Sequence, residues 1–340
     1  MQKRDVVIVG AGPAGLKAAE TLAQAGKDVL VLDSKEIIGN KVCAGGLTIK
    51  CMNMGIPHSI FQRVFKKVII HSPNNSVVIK LDKPLMATVD RKDLGKWMYN
   101  QAKIAGAEVL TQTPVTEIGR DFIKTEDSII KFKYLIGADG ANSIVRKHLK
   151  LASNRVHEAF QYIVSKRFRN LELFFDAEKF GPVYAWIFPY SRTTSIGSGA
   201  DLSYKSLKPI DIKRNLDKWC IQKGFDIKNS EFQAHTINFD YQGHDFKNKF
   251  LIGDAGGFAC GFTGSGIFQA MVSGIDVAKK IINPQYNYSG IRSVLKAKRV
   301  EDAILTSMKL GTAMTELEQE IIIDLLKTKL LNQAILSHIL

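Results

Sequence analysis

Residues 5–9 form a short apolar run rich in β-branched side chains, the pattern of a strand buried on both faces. A helix-type stretch over 16–24 follows, closed by Gly26, and residues 28–32 read as a second buried strand. Two strand-like runs between 66 and 81 flank Pro73-Asn74-Asn75-Ser76, which predicts a hairpin. An amphipathic helix is expected from Arg91 to Ala105, then a strand over 108–110. Alternating segments at 160–168, 171–176, 183–189 and 193–199 predict an antiparallel sheet. Residues 209–223 have helical spacing that turns Leu216, Trp219 and Cys220 inward, and 291–340 read as helices. The apolar stretch 321–340 admits three roles: capping a hydrophobic tunnel, docking on a membrane interface, or plain core packing.

Between the first strand and helix stands Gly10-Ala11-Gly12-Pro13-Ala14-Gly15. Gly10 permits the tight turn, Gly12 lets backbone approach a pyrophosphate, and Gly15 lets the helix pack close to the strand. The helix N-terminus offers unpaired N–H groups to phosphates. Asp33, followed by Ser34, closes the second strand where a ribose hydroxyl acceptor belongs. The glycines alone are weak evidence; strand, helix and acid together point to a dinucleotide site without choosing between FAD and NAD.

Charge adds a second question. The chain carries 47 Lys and Arg against 33 Asp and Glu, a net +14. An anionic membrane would suit such a surface, but so would plain solvation of a Lys-rich composition. The basic residues form no block of the kind that marks a nucleic-acid arm, and nucleic acid is not expected as a partner. Cys43, Cys51, Cys220 and Cys260 show no zinc spacing, so no metal is expected, and scattered cysteines fit a reducing cytoplasm. The N-terminus lacks a signal-peptide pattern and no run reaches the roughly 18 apolar residues of a membrane span. The expectation is a cytoplasmic protein, soluble or peripheral on the membrane's cytoplasmic face.

Two later segments choose the flavin. Tyr134-Leu-Ile-Gly137-Ala-Asp139-Gly140 and Phe250-Leu-Ile-Gly253-Asp254-Ala-Gly256-Gly257 each read as strand, Gly-Asp turn and helix start, the latter helix from about Gly264. With the first motif they resemble the three FAD fingerprints of the para-hydroxybenzoate-hydroxylase superfamily. That resemblance implies that Asp254 holds the ribityl chain, that Gly266 and Ile267 bring backbone N–H groups to the flavin's pyrimidine edge, and that Gly264 also binds the cofactor. It further places Asp139 and Gly140 at the cofactor, Arg91 at its phosphate or adenosine side and Val115 beside the adenine. Within the superfamily, Lys41-Val-Cys43-Ala44-Gly45-Gly46-Leu47 and Tyr184-Ala-Trp186-Ile-Phe188-Pro189 are similar to signatures of the geranylgeranyl reductase family. The first implies a loop over the isoalloxazine, with Lys41, Cys43, Ala44, Gly45 and Gly46 as cofactor contacts. The second implies a flat apolar wall for an isoprenoid, built from Tyr184, Trp186, Phe188 and Pro189. Ala44 and Gly261 depart from the family pattern, which carries Gly and Pro there.

The implied fold is α/β: a Rossmann-like FAD-binding domain (GR2, para-hydroxybenzoate-hydroxylase type) with an inserted antiparallel substrate sheet and C-terminal helices. Its expected boundaries are 1–65, 86–155 and 240–290 for the FAD domain, 66–85 and 156–239 for the sheet, and 291–340 for the helices. The implied activity is reduction of isoprenoid C=C bonds of a lipid or diphosphate. An external donor, NADPH or a ferredoxin, would reduce the flavin. Cys43 is the candidate catalytic residue: it would tune the flavin, donate a proton or form an adduct, or else merely fill space. The rival readings are a flavin monooxygenase or halogenase, and a non-catalytic flavin-binding protein.

Overall fold

The computed structural model describes residues 2–328. Its centre is a mainly parallel sheet that runs, in spatial order, Asp245–Phe246, Lys249–Leu251, Ile129–Gly137, Gln2–Val9, Val29–Leu32 and Glu108–Leu110. Only the first of these runs antiparallel to its neighbour. Val6–Ile8 and Leu30–Val31 are fully buried, as strands covered on both faces must be. Helix Pro13–Gln24 begins at Gly12 with Pro in its first turn and no side-chain cap, so its first amides stay free. It ends where Gly26 takes a left-handed backbone, φ +75°.

A seven-stranded sheet stands over the C-terminal ends of the parallel strands. Its order is Glu231–Asn238, Val156–Val164, Thr194–Asp201, Tyr184–Pro189, Leu171–Phe175, Lys67–His71 and Ser76–Lys80. Alternation sorts its two faces. Phe160, Tyr162, Ala185, Ile187 and Ile196 point away from the parallel sheet and pack under helix Pro209–Gln222 through Ile212, Leu216, Trp219 and Cys220. The alternate positions His157, Ala159, Gln161, Leu173, Phe175, Tyr184, Trp186 and Phe188 face a cavity. The predicted hairpin therefore joins this sheet, its Lys67–His71 strand running parallel to Leu171–Phe175. A further small sheet, Gly46–Thr48, Met86–Val89 and Phe61–Phe65, links the two halves.

One expected boundary is corrected. The helix expected from Gly264 begins at Ile267, capped by Gly266. Gly264 sits at φ +65°, which no α-helical residue adopts, and the Cys260 N–H donates to the Ser265 carbonyl to close a turn there. The C-terminal helices are Ser289–Ser307 and Thr312–Lys327, and Lys327 ends the second within the apolar stretch. The remainder of that stretch, 329–340, lies outside the described residues. Among the described residues no helix is long and apolar enough to cross a membrane.

Candidate functional site

One cavity of about 610 Å³ runs from the glycine turn to the antiparallel sheet. At its start the glycines are fixed by contact. A Cβ on Gly10 would stand 2.4 Å from the Ala138 carbonyl, and one on Gly15 would stand 2.0 Å from the Gly10 carbonyl. Gly12, by contrast, faces open space. The turn is thus compressed against its own backbone yet open where a pyrophosphate would lie, beneath the uncapped helix N-terminus. Asp33 accepts from the Ala11 N–H at 2.7 Å and the Lys35 N–H at 2.8 Å, which aims its carboxylate at the groove.

Most of the sequence-predicted residues meet here. Gly10, Gly12, Pro13, Ala14, Asp33, Ser34, Lys41, Cys43, Ala44, Gly46, Arg91, Val115, Asp139, Gly140, Asp254, Gly264, Gly266 and Ile267 all line the cavity, as do Tyr184, Trp186 and Phe188. Three do not. Gly15 serves the helix–strand packing, and Gly45 (φ +67°) backs onto the Val89 carbonyl and the Tyr190 hydroxyl. Pro189 ends its strand, and its carbonyl accepts the Thr88 hydroxyl at 2.8 Å.

Charge in the cavity is specific. Lys41 Nζ reaches Asp254 at 2.7 Å, and the Asn238 amide donates to the Asp254 carbonyl at 2.9 Å. Arg91 is 9 % exposed and its Nε has no hydrogen-bond partner; the Nε2 of His235 is likewise buried and unpaired. Burial, with Lys41 adding repulsion, lowers the His235 imidazole to about 4, so the ring is neutral at physiological pH. Asp139 is pushed up by burial, although the Ser143 hydroxyl and Ile144 N–H, both at 2.6 Å, favour its charged form. Its two oxygens hold the start of helix Ile144–His148.

Sequence reasoning missed a polar stripe on the roof. Trp186 Nε1 donates to Ser195 Oγ at 2.9 Å and Ser195 Oγ donates to Gln161 Oε1 at 2.9 Å. Gln161 Nε2 in turn donates to the Cys43 carbonyl at 3.4 Å. His157, 3 % exposed, donates through Nε2 to the Gly261 carbonyl at 2.6 Å. The signal was present: His157 and Gln161 sit four apart in strand Val156–Val164 and so share a face, opposite Phe160 and Tyr162. Cys43 itself is half-buried, its Sγ accepting the Gly45 N–H at 3.4 Å. Burial drives the Tyr184 phenol upward, and its hydroxyl donates to the Thr263 carbonyl.

The open glycine cradle, the acid at the strand end and the orphaned Arg91 nitrogen fit a dinucleotide extended along the groove. A family described as "FAD binding domain" matches residues 3–290, so the protein is a flavoprotein that binds FAD. A digeranylgeranylglycerophospholipid reductase of Methanosphaera stadtmanae is 31 % identical over 85 % of this chain and 78 % of its own. The chain belongs to the geranylgeranyl reductase family of FAD-dependent oxidoreductases. An uncharacterised Methanosarcina barkeri protein is 33 % identical over 92 % of this chain and 82 % of its own. The geranylgeranyl diphosphate reductase of Rhodobacter capsulatus is 28 % identical over 80 % and 73 %. In fold, a geranylgeranyl bacteriochlorophyll reductase-like protein of Thermoplasma acidophilum superposes at TM-score 0.80 and 19 % identity, covering 97 % of this chain and 92 % of that one. A flavin-dependent brominase shares the fold at TM-score 0.73 and 18 % identity, over 99 % and 93 %.

Proposed function

We propose that the protein saturates C=C bonds of a geranylgeranyl chain carried on a phospholipid or diphosphate head. The observation that carries this reading is the far half of the cavity. Tyr184, Trp186 and Phe188 form one wall, Ile70, Leu173, Phe175 and Val183 extend it, and Ile322 and Leu326 of the last described helix close its end. An apolar slot continuous with a dinucleotide groove suits a long hydrocarbon laid beside a flavin, and the names of the relatives support the same chemistry.

Bound FAD supplies a hydride. The protein's part is to hold the chain flat, exclude water and place a proton. Gln161 and Ser195 tie the aromatic wall to the loop that carries Cys43, which fixes the spacing between substrate wall and cofactor loop. Cys43, together with Lys41, Ala44 and Gly46, would face the ring system. Asp254 and Lys41 would serve the ribityl side, Asp33 and Ser34 the ribose, and Arg91 and Val115 the adenosine side. NADPH or a ferredoxin would supply electrons, and the basic surface would suit contact with anionic lipid heads.

The test is anaerobic. Holoprotein reduced with dithionite and mixed with geranylgeranyl phospholipid or diphosphate is expected to reoxidise and yield a saturated chain by mass spectrometry. Flavin that stays reduced until oxygen enters would overturn the reading in favour of oxygen chemistry.

A further inference from the structure

A second chamber, of about 240 Å³, lies behind the first. Strand Gly46–Thr48, the start of helix Ile267–Ile282 and helix Ser289–Ser307 line it, and it opens to solvent at the exposed Ser293. Its walls carry Lys50, Ser265, Gln269, Ser293, Lys298 and Glu301. Thr48, Ser265 and Gly266 border both spaces. An apolar void of this size would stay dry, whereas one with several polar partners holds water. Gln269 Oε1 is buried without a partner, the kind of acceptor an internal water satisfies.

Side-chain hydroxyls lead out of this chamber. Gln269 Nε2 donates to Ser265 Oγ at 3.2 Å, and Thr263 Oγ1 donates to the same oxygen at 2.9 Å. Thr263 stands on the main cavity, where its carbonyl accepts the Tyr184 hydroxyl. At the chamber's other side is Glu301, a carboxyl only 8 % exposed. Burial holds it above the ordinary glutamate range, against the opposing pull of Cys260, Lys298 and Lys50 and with a smaller upward push from Asp302. Lys50, Lys298 and Cys51 are the other titratable groups on the chamber; burial lowers both ammonium groups and pushes the Cys51 thiol up to about 12. Lys298 is committed elsewhere, to the Ala259 carbonyl at 2.9 Å and Asp302 at 3.3 Å.

We propose that this chamber is the proton-supply site of the reductase: Glu301 holds the proton that saturation consumes, and chamber water, Ser265 and Thr263 carry it to the main cavity as the two hydroxyls rotate so that Ser265 donates to Thr263. The inference rests on the reductase reading above. Each C=C bond that is saturated gains one hydride, with both electrons from reduced flavin, and one proton. Release of that proton leaves a Glu301 carboxylate beside Lys298 and Lys50, to be reprotonated from solvent. Glu301 touches neither substrate nor cofactor in this scheme and acts through the hydroxyl chain.

Glu301→Gln keeps the side chain's shape and hydrogen bonding but cannot release a proton. Two measurements test the proposal: the infrared C=O stretch of protonated carboxyls in the apoprotein, and the pH profile of anaerobic single turnover with geranylgeranyl diphosphate. The expected result is a protonated-carboxyl band at neutral pH that E301Q removes. Turnover of E301Q should slow roughly 10²-fold, the scale of general-acid assistance, with a changed pH profile that Glu301→Asp restores. An active wild type whose E301Q variant keeps its infrared band, rate and pH profile overturns the proton route alone. A wild type that never saturates the chain overturns the reductase reading itself.

Discussion

At the scale of single residues the cofactor groove is a set of charges with assigned partners. Lys41 and Asp254 are 213 positions apart in the chain yet 2.7 Å apart in space, with side chains 28 % and 12 % exposed. Removing the acid leaves a half-buried ammonium in the groove and removes an acceptor there. Asp254→Ala is therefore expected to weaken FAD binding to the apoprotein by roughly 10- to 100-fold, about 1.4–2.8 kcal/mol, in a fluorescence titration. Asp254→Asn, which keeps an acceptor oxygen, should lose less. These residues were legible because their signals are local: Gly10, Gly12 and Asp33 declare themselves by spacing within one βαβ unit. Ser195, His235 and Glu301 were not. Their partners lie on other strands and loops, and nothing within a few residues of each distinguishes a cavity-facing polar side chain from a solvated one.

At the scale of elements, two helices bring their N-termini to the same cavity, and they cross at a contact made of small residues. A Cβ on Gly274 would stand 2.4 Å from the Ala14 carbonyl and 3.2 Å from the Ala18 nitrogen. In an exposed helix Gly→Ala would add stability through helix propensity, about 0.8–1.0 kcal/mol. Here the neighbour is backbone, which cannot turn aside, so overpacking wins. Gly274→Ala should lower stability by about 1–3 kcal/mol and loosen FAD, seen together as a lower Tm by circular dichroism and flavin loss on gel filtration. The sequence predicted both helices but not this crossing, because Gly274 has no turn or motif around it. It also put the second helix's start three residues early, since the left-handed Gly264 looks like any other glycine until its φ is known.

For the whole molecule, acid sensitivity follows from buried imidazoles. His157, His235 and His244 are all held below the ordinary histidine value of 6.5, burial being the leading cause in each, and His235 falls to about 4. The unfolded chain therefore binds more protons than the folded one between those values, and stability rises with pH across the window. Read downward, stability should fall as pH drops from about 6.5 toward 4, and His235→Gln should flatten that slope in urea melts taken at several pH values. The antiparallel roof was legible as alternation, but the assignment of its two faces was not. Only the tertiary fold decides that Phe160 looks to helix Pro209–Gln222 while Gln161 looks to the cavity.

The walls of the main cavity come from nearly the entire polypeptide, from Val9 to Leu326. That spread has a consequence for biosynthesis. A nascent chain leaving the ribosome presents its glycine turn first, while Asp254, the Gly266 helix cap and the closing helix Thr312–Lys327 still wait to be translated. Loop closure over such separations comes late, after local helices and hairpins have formed. Newly made protein thus cannot enclose its flavin until helix Thr312–Lys327 has been made, and a ribosome stalled before that helix would display an open groove rather than a loaded holoprotein.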